Sequence, residues 1–170
     1  GAIDRVTEAQ VHAFAQDVGL NASAAQVLRN MLPPAQQTPG EWLCALQSDY
    51  YYRVPAQRIA ALAHRWARSA HGYEFTWPSP QGVGAGRSGV ELPFVFGNLH
   101  TPTGQELTGP TPPAALAEAL QQRWVAFARD GNPGWVPYAG AQPPVQHVGE
   151  RLFCAPHTQP ERFALWEGVL

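Results

Sequence analysis

Apolar residues along this chain recur at helical spacing in several windows. Between residues 7 and 18, Val11, Phe14, Ala15 and Val18 fall on one face. Thr7 stands before them as an N-cap, and Gly19 is placed to stop the helix. A second helix is predicted over 22–31, with Ala25, Leu28 and Met31 together, ended by Pro33-Pro34. Residues 33–40, rich in Pro and Gln, read as a connection. The apolar and aromatic run 41–53 predicts one short helix, with Ser48 or Asp49 starting another turn. Pro55 then takes the first position of a long helix, where its missing N–H is harmless. Ile59, Leu62, Ala63 and Trp66 are the expected buried stripe of that helix.

Tyr73-Glu74-Phe75-Thr76-Trp77 alternates at the period of a strand, closed by Pro78 and Pro80. Residues 81–89 are Gly-rich and are expected to loop. A helix from Pro112 or Pro113 to about Arg129 should turn Leu116, Leu120, Trp124 and Phe127 inward. Residues 130–134 form a turn. After a Pro-rich stretch, a short strand is predicted at Arg151-Leu152-Phe153, then a last helix over about 160–168, with Glu161 at its positive end. No internal repeat and no domain boundary is visible.

Composition narrows the function classes. The 170 residues suffice for one domain with a real core, and 45% hydrophobic against 14% charged residues describes a chain that buries much of itself. A net charge of −2 provides no field for nucleic acid or an anionic membrane, so no nucleic-acid partner is expected. No apolar run approaches the roughly 18–20 residues a membrane span requires. Cys44 and Cys154 lack metal-ligand spacing and are too few for a disulfide framework. Residues 1–5 show no apolar signal core. That absence carries no weight if residue 1 is not the natural start, so cytoplasm and secretion both stay open.

Three patterns offer chemistry on weak terms. Gly84-Ala85-Gly86-Arg87-Ser88-Gly89 matches a dinucleotide fingerprint, but a Pro-broken loop precedes it and Pro93 interrupts the segment after it. His71-Gly72-Tyr73-Glu74 puts a histidine beside a carboxylate in the approach to the strand, where an ordinary loop histidine is expected. His64 should face outward or cap a neighbour. His12, His100, His147 and His157 lack the i,i+4 spacing or the acidic partners of a metal site. His100 alone is placed to approach a cleft.

The segment Ser88-Gly89-Val90-Glu91-Leu92-Pro93-Phe94-Val95-Phe96-Gly97 is more specific. It resembles the type-B carboxylesterase signature His-x-x-Glu-(Leu/Ile)-Pro-Phe-Val-Phe-Gly, of the group that includes bacterial p-nitrobenzyl esterases and cholinesterases. Four further segments are similar to that family in the same order. They are Ser48-Asp49 through Ala60, Tyr73 to Pro80, Trp124 to Pro133, and Glu161-Arg162 with Leu165-Trp166-Glu167-Gly168. The His71-Gly72-Tyr73-Glu74 string mimics the cholinesterase form of the same box, without the Pro-Phe-Val-Phe run after it.

The resemblance implies an α/β fold, the C-terminal segment of an α/β-hydrolase domain spanning residues 1–170. It would carry the last sheet strands and their flanking helices, and would be incomplete without an N-terminal portion. It implies a serine esterase that cleaves small carboxylic esters through a Ser-Glu-His triad, with no metal and no organic cofactor. In such folds the order is Ser, then acid, then His. The nucleophile and acid are therefore expected upstream, and the missing N-terminal portion is the expected partner. No Gly-x-Ser-x-Gly elbow occurs here. Ser88 occupies the position of the family's catalytic His, through an introduced substitution or a natural loss, and a register slip of one places Arg87 there. Neither residue serves as a base near neutral pH, so the chain alone is expected to be inactive. Glu91 would anchor the loop presenting position 88. Leu92, Phe94, Val95 and Phe96 would form a buried helical turn lining the acyl side of the pocket. The alternative is a non-catalytic binding module, as in the adhesion members of the cholinesterase group.

Overall fold

The computed structural model describes residues 3–66, 69–80, 89–140, 142–156 and 159–169. In chain order the main elements are α1 (Glu8–Asp17), α2 (Ala22–Met31), α3 (Pro39–Ser48), α4 (Val54–Arg65), β1 (Gly72–Phe75), α5 (Leu92–Val95), α6 (Pro102–Thr108), α7 (Ala114–Asp130), β2 (Pro144–Val148), β3 (Leu152–Pro156) and α8 (Pro160–Ala164). They form two compact units, one of residues 1–62 with 158–170, the other of residues 63–157.

The first unit is helical. α1 opens with a capping box: Thr7 Oγ1 accepts from Gln10 N while Gln10 Oε1 accepts from Thr7 N. Asn21 caps α2 by accepting from Ala24 N at 2.8 Å. Val11, Ala15, Ala25, Leu28 and Leu46 pack around Trp42, which is fully buried and donates Nε1 to Ala25 O at 3.0 Å. That one ring removes apolar surface from water at about 25 cal/mol per Å² and leaves its polar atom satisfied.

Several expectations for residues 33–66 are corrected. α3 starts at Pro39, inside the expected connection, because Thr38 caps it. α3 and α4 are also not separate helices: Asp49–Arg53 is a π-helical turn, bounded by right-handed backbone at Asp49 and Val54, with Val54 N donating to Asp49 O. Pro55 sits at the second position of α4 and follows that wide turn, which accommodates a ring unable to donate to the turn before it. The expected stripe of α4 is likewise not buried. Ile59 is 68% exposed and Leu62 47%, while Trp66, just past the helix, is 77% exposed.

The second unit holds a three-stranded sheet of order β1-β2-β3. β1 runs parallel to β2, with Glu74 opposite His147, and β2 antiparallel to β3. The central strand β2 is absent from the sequence expectations. It is buried from Val145 to Val148, so it shows no alternation, and Pro143-Pro144 disguise its start. α6, capped by Thr101 and ended by Gly109 at φ +78°, is also additional. α7 follows its expected course, except that its last inward residue, Phe127, lies exposed. Trp77, Val90, Phe94, Leu116, Ala117, Leu120 and Val148 form the core of this unit. Among the described residues no helix is long and apolar enough to cross a membrane.

Candidate functional site

β1 continues its pairing one residue past its end, as Thr76 N donates to Val148 O at 2.7 Å. Trp77 then turns into the core, and Ser79 Oγ donates to Leu107 O. Residues 81–88 lie outside the described residues, and with them Ser88 and most of the Gly84–Gly89 fingerprint. Gly89, at φ +83°, turns the chain into α5, and its carbonyl accepts from Leu92 N. Glu91 O accepts from both Phe94 N and Val95 N, which closes the turn.

Helical spacing then sorts the side chains. Val90 and Phe94 are four apart and point into the core, where Phe94 packs on Phe75 at 5.5 Å and Trp77 at 5.1 Å between ring centroids. Leu92 and Phe96 are also four apart, on the other face, and are 48% and 73% exposed. The expected buried turn is therefore half right: Phe94 is fully buried and Val95 partly, while Leu92 and Phe96 face outward. α7 holds this turn from behind, with Gln121 Nε2 donating to Phe94 O at 3.3 Å. Glu91 is half-buried at the start of α5 and its side chain makes no capping bond. Burial, and after it the negative charge of Glu91, pushes the Tyr73 phenol up from its ordinary range.

An open cleft of about 560 Å³ lies beside this turn. Trp77 from the end of β1, Gly149 and Glu150 from the end of β2, and Leu116 and Ala119 of α7 line it. It thus sits beyond the carboxyl ends of the two parallel strands, the edge at which α/β sheets place ligands. Leu92, Phe94, Val95 and Phe96 are not among its lining residues, and Phe94 stands behind its Trp77 wall. Leu116, Gly149 and Glu150 carry no local signal of a cleft in the sequence, because their convergence depends on β2.

The other histidines are placed elsewhere. His71 sits just before β1, with Nε2 2.9 Å from Ser69 Oγ and its ring edge-on to Phe127 and Trp135. His147 has one carboxylate nearby, which does not make a metal site. Its Nδ1 is 3.8 Å from Glu74 Oε2 across the β1–β2 pair, and its ring stacks on Phe153 at 4.7 Å. His100 is exposed and does not line the cleft beside α5. His157 and the side chain of His64 are outside the described residues. Among the described residues no group of three or more His, Cys, Asp or Glu side chains could hold a metal ion.

No protein-family model matches the chain. A phenmedipham hydrolase of Pseudarthrobacter oxydans is 31% identical over 110 residues, which is 58% of this chain and 21% of that protein. Among solved structures, a carboxylesterase of Geobacillus stearothermophilus superposes with a TM-score of 0.79 at 20% identity, covering 97% of this chain and 36% of that one. A PNB esterase gives 0.69 at 21%, covering 94% and 33%. The chain thus spans about a fifth of the curated relative and about a third of each solved esterase. Its fold is that of the C-terminal part of these α/β-hydrolase carboxylesterases.

Proposed function

We propose, from this carboxylesterase fold, that the chain is the C-terminal part of a serine ester hydrolase in which position 88 faces the scissile ester. The observation that carries the reading is the placement of the segment after residue 88. Gly89 leads into α5, which Phe94 anchors in the core against Phe75 and Trp77 and which Gln121 holds at the Phe94 carbonyl. A firmly held neighbouring turn of this kind is what a residue acting on a bound ester needs beside it.

In the complete protein, a Ser from the preceding portion attacks the ester carbonyl, the alcohol leaves, and water hydrolyses the acyl-enzyme to the carboxylic acid. Backbone N–H groups of that portion hold the oxyanion. An imidazole at position 88, oriented by a Glu, takes the Ser proton and returns it to the leaving alcohol. Ser88 lacks that capacity, since a hydroxyl does not accept a proton near neutral pH. Glu91 anchors the loop, Leu92 and Phe96 present their outward faces to the acyl side, and Phe94 and Val95 back them from the core.

The test has two arms. The purified chain should hydrolyse p-nitrophenyl acetate no faster than buffer; turnover blocked by a serine-directed phosphonate overturns the inactive state. In the protein read from the DNA upstream of codon 1, an in-frame Gly-x-Ser-x-Gly elbow is expected, and Ser88→His should raise turnover by several orders of magnitude. Ser88 itself favours the second reading, a non-catalytic binding relative. An upstream portion without the elbow decides for it.

A further inference from the structure

A small aromatic cleft of about 210 Å³ lies within the second unit. His71 and Tyr73 at the start of β1, Trp124 and Phe127 on α7, and Pro133 and Trp135 in the turn after it line it. None of them lines the cleft beside α5. The walls are held by contacts of their own. Tyr73 meets Trp124 edge-on at 5.0 Å between ring centroids, and His71 meets Phe127 at 6.0 Å and Trp135 at 6.1 Å. Arg123 Nη1 donates to Pro133 O at 3.2 Å, and its guanidinium covers the Trp135 ring at 5.6 Å. Tyr138 N donates to Ala70 O at 2.7 Å, which ties the chain after Trp135 to the residue before His71. Walls fixed in this way form a site before any ligand arrives.

Two polar atoms of these walls, Trp135 Nε1 and His71 Nδ1, are buried and have no hydrogen-bond partner among the described residues. A buried donor left unpaired is costly, and an indole N–H can only donate, so Trp135 calls for an acceptor. His71 Nδ1 takes either role, according to which way the bond between Nε2 and Ser69 Oγ runs. None of the lining side chains carries a fixed charge, which favours a neutral occupant. An apolar cavity of roughly 150 Å³ takes up benzene. The cleft here therefore has room for one ring with a short substituent. We propose that it binds a small neutral aromatic molecule whose oxygen accepts a hydrogen bond from Trp135 Nε1. The site is built within residues 71–135 and does not depend on the ester-cleaving role proposed for position 88.

The experiment titrates the purified chain with acetophenone and with α-methylstyrene, which keeps the shape but replaces the carbonyl oxygen by a CH₂ group. Binding is followed by calorimetry and by the ¹H–¹⁵N signals of the six tryptophan indoles. The Trp135 signal is identified by its loss in Trp135→Phe. Acetophenone should move that signal downfield to saturation at one site, and α-methylstyrene should bind without the downfield shift. Trp135→Phe keeps a ring but no donor. It should bind acetophenone about tenfold more weakly and α-methylstyrene nearly as well as wild type. Unmoved signals from the other indoles show that the variant is folded. A Trp135 signal that acetophenone leaves in place overturns the proposal, because water is then the occupant. The same downfield shift with both molecules, or equal weakening of both by Trp135→Phe, overturns it as well. So does loss of acetophenone binding when the polypeptide encoded in frame upstream is co-expressed, since the cleft is then filled by protein.

Discussion

Arg162 Nε donates to Asp49 Oδ2 at 2.7 Å across 113 positions of sequence, and both side chains are buried. Trp166 Nε1 is directed at the same oxygen from 3.4 Å, and Arg53 Nη1 lies 3.6 Å from Asp49 Oδ1. One carboxylate therefore ties the π-turn to α8 within the helical unit.

Arg162→Met should be costly, because it leaves the Asp49 charge buried without its main partner. About 3–5 kcal/mol is expected, read from urea denaturation with the slope checked for a two-state transition. Asp49→Leu combined with Arg162→Met should recover most of that loss, since the damage lies in the stranded charge and not in the missing pair. A single variant within about 0.5 kcal/mol of wild type, the range of ordinary surface changes, refutes the assignment.

Gly97 sits at φ +68°, and a Cβ there would meet the Gln121 amide at 3.0–3.2 Å. Gly131 has nearly the same backbone, φ +69°, with nothing within 4 Å. Gly131→Ala should cost about 1–2 kcal/mol from left-handed strain alone. Gly97→Ala should cost more, because it also pushes Gln121 off the Phe94 carbonyl. Paired denaturation curves decide it, and equal losses show that the Gln121 contact contributes nothing.

Tyr73 and Tyr138 both hold their phenols above the usual range, Tyr73 through burial and then Glu91, Tyr138 through burial. The unfolded tyrosines lose their protons first, near pH 10, while the folded ones retain theirs. The folded state then binds more protons, so stability is unchanged below about pH 10 and falls as pH rises above it toward the folded values. Absorbance at 295 nm should show late ionisation of two of the five tyrosines. Tyr73→Phe should shallow the decline in stability, and Glu91→Gln should bring Tyr73 ionisation earlier. An unaltered titration in Glu91→Gln dismisses the electrostatic link.

How much was legible in the sequence varied with whether the signal was local. Thr7 with Gln10, Asn21 and the stripe of α7 through Leu120 act within a few residues, and the corresponding helices appear where the pattern puts them. The strand Tyr73–Phe75 and the turn around Pro93-Phe94 are also local, and both formed. β2 was hidden because a strand buried on both faces does not alternate, and losing it concealed the Glu74–His147 pairing and the cleft at Gly149 and Glu150.

By itself the sequence determined the capped helices, the aromatic strand and the turn around Pro93-Phe94, because side-chain chemistry and chain periodicity act over a few residues. Only the tertiary structure decided which face each element would show. It turned Arg58 inward and Ile59 outward, seated Val90 and Phe94 while exposing Leu92 and Phe96, and brought Asp49 to Arg162. Periodicity says that a helix has a face to bury, but what covers that face depends on neighbours far along the chain. On α4, among the described residues of its unit, none covers Ile59 and Leu62.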